Sequence, residues 1–575
     1  MTDIWKVIRS ASLLLATTLA MSACSGSGTS GQSKTVSGTA AAGAPIIGTV
    51  TIKDSTTPTA LTKFVTIEAD GKYTIDVSDM KAPYMVRADG YVGGNEYHLY
   101  SAGTAADEGG TINITPLTDL IVANIAGSVA QTYFDNGNFS NLTAIELTAE
   151  ADALKAKLLP ILQELGVSDS IDLLRTSFNT DHTGLDGALD ILKVTTDAGT
   201  GVATIKNIIT QQQMTSNVTT GTYTGVLDVT TGVKEGVTDI QLISEGFKKF
   251  STLFATGLPN ETNATLLSLF DRDTFLEGGQ DLDAFLSELT TEPELVGVSF
   301  TNISVQSIES NDDLSGSAVV AFDVIQNGKP LNDGPNPFHM IKKNGVWYMQ
   351  GDQRIASVDL ESVAEYRISE TTTPIHTGLR FGVKDPGGIG ITSAVVTGAG
   401  LPDGGVTLTN NIAYDEFQID GQNSGNFYAM SDTAIGTIAD TGEIYTFKLY
   451  KGEVLEKTYT ETNRKRPYLK TDLKVENFPT ITSPTLEQLR AFSGGDATIS
   501  WTLPAGLTND WLSAHIYDFS GNSATYETSP LPADTTKSFT LNAETSTGQS
   551  FSVTGGSIWL SAYDEFGRQL GTSMW

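Results

Sequence analysis

The sequence predicts a multi-domain, mainly β protein with an all-α unit and an α+β domain, and with β-sandwiches at both ends. Three observations predict it. Short alternating apolar runs punctuated by Gly, Asp and Pro fill residues 37 to 114 and recur from residue 366 onward. Between 115 and 193 the apolar residues fall instead at helical spacings, and between 236 and 365 helical spacing gives way to three long strand-like runs. A chain of 575 residues is also too long for one compact core, since about 150 residues per domain gives roughly four domains.

Composition narrows the function classes. Lys and Arg total 35 against 67 for Asp and Glu, a net charge of −32, which opposes nucleic-acid binding because phosphate contacts need a clustered cationic surface. The single Cys excludes an intrachain disulfide framework, a CxxCH haem attachment and a Cys-based zinc site. At 39% hydrophobic and 18% charged residues, the chain is neither disordered in composition nor a multi-span membrane protein.

The first 23 residues read as a signal peptide: a basic start with Lys6 and Arg9, then the apolar run Ala11 to Ala20, too short to span a bilayer. The run ends in Met21-Ser22-Ala23-Cys24, which resembles the bacterial lipobox, with Met21 in place of the usual Leu. The resemblance implies that Cys24 becomes the lipid anchor and that Ser25, rather than Asp, after it directs the protein to the outer membrane. Acyl chains such as palmitate hold the membrane at about 0.8 kcal/mol per buried CH₂. Loss of Asp3, Lys6 and Arg9 with the signal peptide takes the net charge from −32 to −33. Residues 24 to 36 then form a Gly/Ser/Thr-rich flexible tether.

In residues 37 to 114, strand-like runs at 46–52, 64–68, 73–77, 84–88 and 97–100 are separated by turn residues. Gly43-Ala44-Pro45-Ile46, Asp70-Gly71-Lys72-Tyr73 and Pro83-Tyr84-Met85-Val86 resemble the carboxypeptidase regulatory-like, or transthyretin-like, β-sandwich of secreted bacterial proteins. That resemblance implies a spacer or binding module, with the Tyr after Asp-Gly packed inward. Tyr97 and Tyr100 are candidates for a sugar-binding surface.

Residues 115 to 210 read as a helical unit. Thr115-Pro116 opens one helix, 144–165 forms a second that stops at Gly166, and a last short helix follows Asp181-His182-Thr183-Gly184-Leu185-Asp186 and runs to Lys193. Asp181, His182 and Asp186 suggest a metal or acid/base cluster, but Asp capping the helix with His exposed in the loop is the simpler reading, and no metal site is assigned. The Thr-, Gly- and Val-rich residues 211 to 235 read as a linker or a thin hairpin.

Residues 236 to 365 begin with the amphipathic stretch 240–255, which places Ile243, Phe247, Phe250 and Phe254 on one side, and helical spacing continues over 266–276 and 282–289. Strand-like runs at 295–308, 314–326 and 338–355 follow, with Asn327-Gly328 and Asn344-Gly345 as turns. Helices followed by strands ending in Lys343-Asn344-Gly345-Val346-Trp347-Tyr348-Met349-Gln350 resemble the NTF2-like, or SnoaL-like, α+β cone. That resemblance implies an open cavity, for which Asp273, His339, Trp347, Tyr348 and Asp352 are the candidate lining residues. Asp271-Arg272-Asp273 resembles the start of an EF-hand loop, yet Phe275 occupies the third ligand position and no Gly follows it.

Residues 366 to 475 carry short runs with Asp/Gly/Pro turns, as an Ig-like sandwich requires. Residues 476 to 575 contain Ile499-Ser500-Trp501-Thr502-Leu503-Pro504 and two later strands ending in Tyr517-Asp518 and Tyr563-Asp564, and these resemble fibronectin type III. Trp501 is expected in the core, and Trp511, beside Asn509-Asp510, is the candidate exposed aromatic. Arg464-Lys465-Arg466 reads as a solvated turn or an interdomain contact rather than a nucleic-acid site.

No HExxH, GxxxxGK[ST] or GxSxG occurs, and the five His (98, 182, 339, 376 and 515) lie in five different segments, so no catalytic residue and no cofactor are assigned. The expectation is an outer-membrane lipoprotein serving surface binding, adhesion or envelope architecture. Its partners are the membrane, through the N-terminal lipid, and a glycan or envelope protein, with no nucleic acid. The alternative is a small-molecule receptor or enzyme using the NTF2-like cavity.

Overall fold

A computed structural model describes residues 34–56, 59–310, 314–326, 329–331, 337–411, 416–421, 425–531, 534–545, 547–564 and 566–575. Cys24, most of the expected tether and the Asn327-Gly328 turn lie outside the described residues. The protein is mainly β and multi-domain. It divides into two compact units, one holding the described residues up to 275 with 286–352, the other holding 276–285 with 353–575.

The first unit opens with a β-sandwich. Strands Thr62–Thr66, Ile47–Lys53, Tyr84–Val92 and Asn95–Gly103 form one antiparallel sheet in that order, and Thr35–Thr39 pairs with Lys72–Asp76. All five expected strands are present. Val36 pairs with Ile75 and is fully buried, so the fold starts inside the segment read as tether. Gly71 takes the left-handed conformation (φ +82°) that the turn needs, which aims Tyr73 inward, where its hydroxyl donates to the Ile112 carbonyl.

Helices Pro116–Ala126, Ala130–Asn136, Ala144–Glu164 and Gly184–Ile191 follow. Pro116 sits at the first helical position, and Thr115 and Thr118 cap each other's backbone N–H groups. Residues read as the end of the helical unit and a linker form a four-stranded antiparallel meander instead: Leu192–Asp197, Val202–Asn207, Gln213–Asn217 and Thr222–Thr224. Polar bonds attach it to the helices. Ser216 Oγ donates to Asn124 Oδ1 at 3.0 Å, and the Tyr223 hydroxyl donates to Glu150 at 2.7 Å.

The α+β region packs the helix Val233–Phe254 against an antiparallel sheet that includes Val298–Ser310, Ser315–Gln326, Phe338–Lys343 and Val346–Gly351. Asn344 (φ +52°) and Gly345 (φ +79°) make the hairpin turn expected of that dipeptide. Phenylalanine rings fill the space between helix and sheet. Phe247 lies 4.9 Å from Phe322 and 5.9 Å from Phe338, and Phe250 lies 4.9 Å from Phe300 and 5.8 Å from Phe270. Among the described residues, packed aromatic rings occupy the space between helix and sheet where the resemblance leads to an open cone.

In the second unit a seven-stranded sheet runs in the order Phe427–Ala429, Ile375–Lys384, Ser357–Arg367, Gln569–Met574, Gly555–Tyr563, Thr508–Tyr517, Ser523–Thr528. The five-stranded sheet Glu416–Ile419, Val406–Asn411, Ser393–Thr397, Glu443–Lys451, Val454–Asn463 and the three-stranded sheet Thr480–Ser483, Gly495–Thr502, Thr536–Leu541 complete the unit. One core forms around Phe381, Tyr445 and Phe447, and another around Trp501, Leu512 and Leu560. The two cores share the seven-stranded sheet, because Ser357–Arg367 and Gln569–Met574 pair in parallel. The expected boundaries at 365/366 and 475/476 accordingly do not separate the sheets. Trp501 is core, as expected, with its indole N–H donating to Asn509 Oδ1 at 2.9 Å. In the basic run, Lys465 and Arg466 both pair with Asp440.

Candidate functional site

The residues expected to line a cavity are divided between two strand faces. Phe338 and Met340 point into the aromatic core, so His339 between them points away, and burial lowers its pKa. Trp347 and Met349 are buried while Tyr348 alternates to the other side. Trp347 donates its indole N–H to Asp239 Oδ1 at 2.9 Å, and Lys342 Nζ lies 2.8 Å from the same carboxylate oxygen. This ion pair is almost fully enclosed and hydrogen-bonded, an arrangement that positions the helix on the sheet. Asp273 is 84% exposed beside Lys343, and Asp352 follows the last strand. The five do not line one site.

Of the expected surface aromatics, Tyr100 is corrected to a core residue: it is 3% exposed and its ring lies 5.5 Å from Phe134. Tyr97 is partly buried against the sandwich core. Trp511 is half-buried on the seven-stranded sheet, where a bulge between Asn509 and Leu512 inserts Asp510 and Trp511 opposite Ser561.

Trp511 leads to a polar and aromatic sheet face. Leu379, Phe381, Leu512, Ile558, Leu560 and Met574 point into the cores, so the alternate residues Glu361, Arg380, Trp559, Ser561, Tyr563 and Gln569 fall on the opposite face. Arg380 Nη1 donates to Glu361 Oε2 at 3.1 Å and to Gln569 Oε1. The Tyr563 hydroxyl donates to Glu361 Oε1 at 2.9 Å, and Asp510 Oδ2 accepts from Ser561 Oγ at 2.6 Å and Gln569 Nε2 at 2.8 Å. The Trp559 ring packs against Gly571, where an added Cβ would meet it at 2.2 Å, and the Arg380 guanidinium stands 5.6 Å from the Trp559 ring centroid. Burial, with the charges of Asp359 and Asp510, pushes the Glu361 carboxyl up to about 7 against the pull of Arg380 and the Tyr563 hydroxyl. Burial also holds the Tyr563 hydroxyl well above its ordinary range. Trp511, Trp559, Glu361 and Arg380 are all half-buried.

A second cluster surrounds His182, and here the cap reading is corrected. Asp186 lies inside the helix Gly184–Ile191 and its Oδ2 accepts the His182 backbone N–H at 2.7 Å, whereas Asp181 accepts from Thr183. His182 takes a left-handed backbone (φ +59°) and is only 20% exposed, with Nδ1 3.0 Å from Asp190 Oδ2 and Nε2 3.1 Å from Ser244 Oγ. Burial opposes the charge on His182, but the hydrogen bond and charge of Asp190 outweigh it and raise its pKa. Burial and the Asp190 charge raise Asp186 to about 7, and burial lowers the nearby Lys193. The sequence reading stopped at Asp186, although Asp190 lies one turn further along the same helix.

No family model matches this chain, and no curated protein matches it. Among solved structures, one described as concerning host cell surface retention of a 1.5-MDa bacterial ice-binding adhesin is 14% identical over 38% of this chain, at a TM-score of 0.13. This chain spans 63% of the length of that structure. Another, a tetra-tandem repeat from the extending region of a large adhesion protein, is 11% identical over 94% of this chain and 97% of its own, at a TM-score of 0.12. Likeness at that level carries no functional argument. Among the described residues no helix is long and apolar enough to cross a membrane.

Proposed function

We propose that this protein is an outer-membrane lipoprotein anchored through Cys24, and that the polar face of its seven-stranded sheet binds a neutral glycan at the cell envelope. The observation that carries the binding assignment is the Trp559 ring packed against Gly571 beside Arg380, Glu361 and Gln569. An indole face packs against the C–H groups of a sugar ring, and carboxylate, amide and guanidinium groups around it exchange hydrogen bonds with hydroxyls. The net charge of −32 disfavours an anionic ligand, which points to uncharged sugars. Anchoring rests on the lipobox-like Met21-Ser22-Ala23-Cys24, where the chain's one Cys falls.

A glycan array probed with the purified full chain tests the binding. Neutral glycans should bind, and Trp559→Ala should lose the signal while retaining the fold. Absence of neutral-glycan binding by the unaltered chain, or undiminished binding by the folded variant, would refute the assignment. Metabolic labelling with a palmitate analogue should mark the unaltered protein and leave Cys24→Ala unlabelled, and protease treatment of intact cells reports whether the folded units face outward.

A further inference from the structure

We propose that His182, Asp186 and Asp190 hold a divalent transition-metal ion, Zn²⁺ or Mn²⁺, where the turn before the helix Gly184–Ile191 meets the helix Val233–Phe254. One ligand atom from each of the three residues lies within 4.8 Å of the others. An ion about 2.1 Å from each of three tetrahedrally placed ligands holds them about 3.4 Å from one another, so the side chains would close by up to about 1.4 Å on binding it.

The observation that points to a ligand is Asp186 itself. Its side chain is fully buried, one oxygen accepts the His182 N–H, and the other, Oδ1, has no hydrogen-bond partner. A buried carboxylate oxygen without a donor is costly, and a cation in the cluster supplies the missing interaction.

The surroundings of His182 fit a ligating imidazole. Nε2 lies 3.1 Å from Ser244 Oγ, so when Nδ1, 3.0 Å from Asp190, gives its lone pair to the ion, Nε2–H can donate to that hydroxyl. A metal-bound histidine is commonly oriented by such a second hydrogen bond. One imidazole nitrogen with two carboxylates suits Zn²⁺ or Mn²⁺ better than Ca²⁺ or Mg²⁺, which prefer all-oxygen shells. The 20% exposure of His182 leaves an entry route and room for water to complete the coordination.

Such an ion joins three segments. Gln241 Nε2, from the long helix, donates to the His182 carbonyl at 2.9 Å, and the Asp190 backbone lies against Gly43, where an added Cβ would come within 3.1 Å of Asp190 Cα. The Gly43-Ala44-Pro45 loop of the opening sandwich, the helical turn and the start of the α+β region therefore meet around the site, and the ion acts as a structural clamp on this joint.

The test uses the purified full chain stripped with EDTA and titrated separately with ZnCl₂, MnCl₂ and CaCl₂. About one equivalent of Zn²⁺ or Mn²⁺ should bind and raise the unfolding midpoint by about 3 °C or more, with no such response to Ca²⁺ at the same concentration. Asp186→Asn and His182→Gln should each weaken binding at least about tenfold, and Asp273→Asn, at an exposed acid elsewhere, should not. Should the variants fail to fold, Co²⁺ added to the unaltered chain decides: a visible absorption band displaced by Zn²⁺ supports the site, and its absence overturns it. Failure of the unaltered chain to retain a transition ion, or undiminished binding by folded Asp186→Asn, also overturns the proposal and leaves a proton as the species balancing the two carboxylates.

Discussion

Glu361 and Arg380 stand directly opposite each other on adjacent antiparallel strands, with Arg380 Nη1 3.1 Å from Glu361 Oε2. Despite this partner, the Glu361 carboxyl is held near 7, because burial and the neighbouring charges of Asp359 and Asp510 outweigh one guanidinium and the Tyr563 hydroxyl.

The first prediction concerns pH. A glutamate raised in the folded chain from about 4.5 to about 7 binds more protons folded than unfolded. The stability it contributes is whole below pH 4.5 and is lost as pH rises through 7. Glu361→Gln removes that dependence. At pH 8 it should stabilise the second unit by about 1–3 kcal/mol, at about 1.4 kcal/mol per pKa unit less the Arg380 contact it gives up. At pH 4 the gain should vanish. Denaturant unfolding at the two pH values checks it.

Gly571 permits the close stacking of Trp559. A Cβ there would sit 2.2 Å from the indole Cη2 and 2.4 Å from Cζ2, far inside contact distance, so Gly571→Ala must displace the ring. Overpacking of this kind costs about 1–3 kcal/mol. The expected result is a folded chain with altered Trp fluorescence and lost glycan binding, whereas Gly567→Ala, where nothing lies near an added Cβ, should pay only the strain of its positive φ and retain binding.

How far these features were legible depends on how local they are. The Asn344-Gly345 turn, the inward Tyr73 and the Thr115-Pro116 helix start each depend on a few adjacent residues, and each is where the sequence placed it. The meander over 192–224 was not legible because its strands are short and Thr-rich, with few apolar inward residues such as Ala203, Ile205 and Met214 to show alternation. The shared seven-stranded sheet depends on Val363 pairing with Gln569, a contact between residues about 200 positions apart that no local pattern reports. Glu361, Arg380 and Trp559 were missed for the same reason, since each looks like an ordinary strand residue until the strands are assembled. Asp190 was nearer to legible, but its reach to His182 requires the left-handed backbone at His182.

Asp239 and Lys342 form a pair 2% and 7% exposed. Removing one partner strands the other, so Asp239→Ala should cost about 3–5 kcal/mol and also leave the Trp347 N–H without its acceptor. Replacing both, as Asp239→Leu with Lys342→Met, should recover most of that loss, because a buried pair adds little over well-packed apolar groups. A double variant no more stable than Asp239→Ala would show that the pair contributes more than its own desolvation cost.

The last prediction tests whether the α+β interior is packed. Phe250 is 3% exposed and touches Phe254, Phe270 and Phe300 at ring-centroid distances of 5.1, 5.8 and 4.9 Å. Its truncation removes a ring from the centre of the array, and Phe250→Ala should cost about 3–5 kcal/mol. The void left behind is lined by phenylalanine and stays dry, so it should admit benzene as other apolar cavities of that size do. Benzene should therefore raise the unfolding midpoint of Phe250→Ala by several degrees and leave the unaltered chain unchanged, because its rings already occupy the space. A matching benzene response in the unaltered chain would mean that an apolar cavity exists beside those rings, and the small-molecule receptor reading of this region would return.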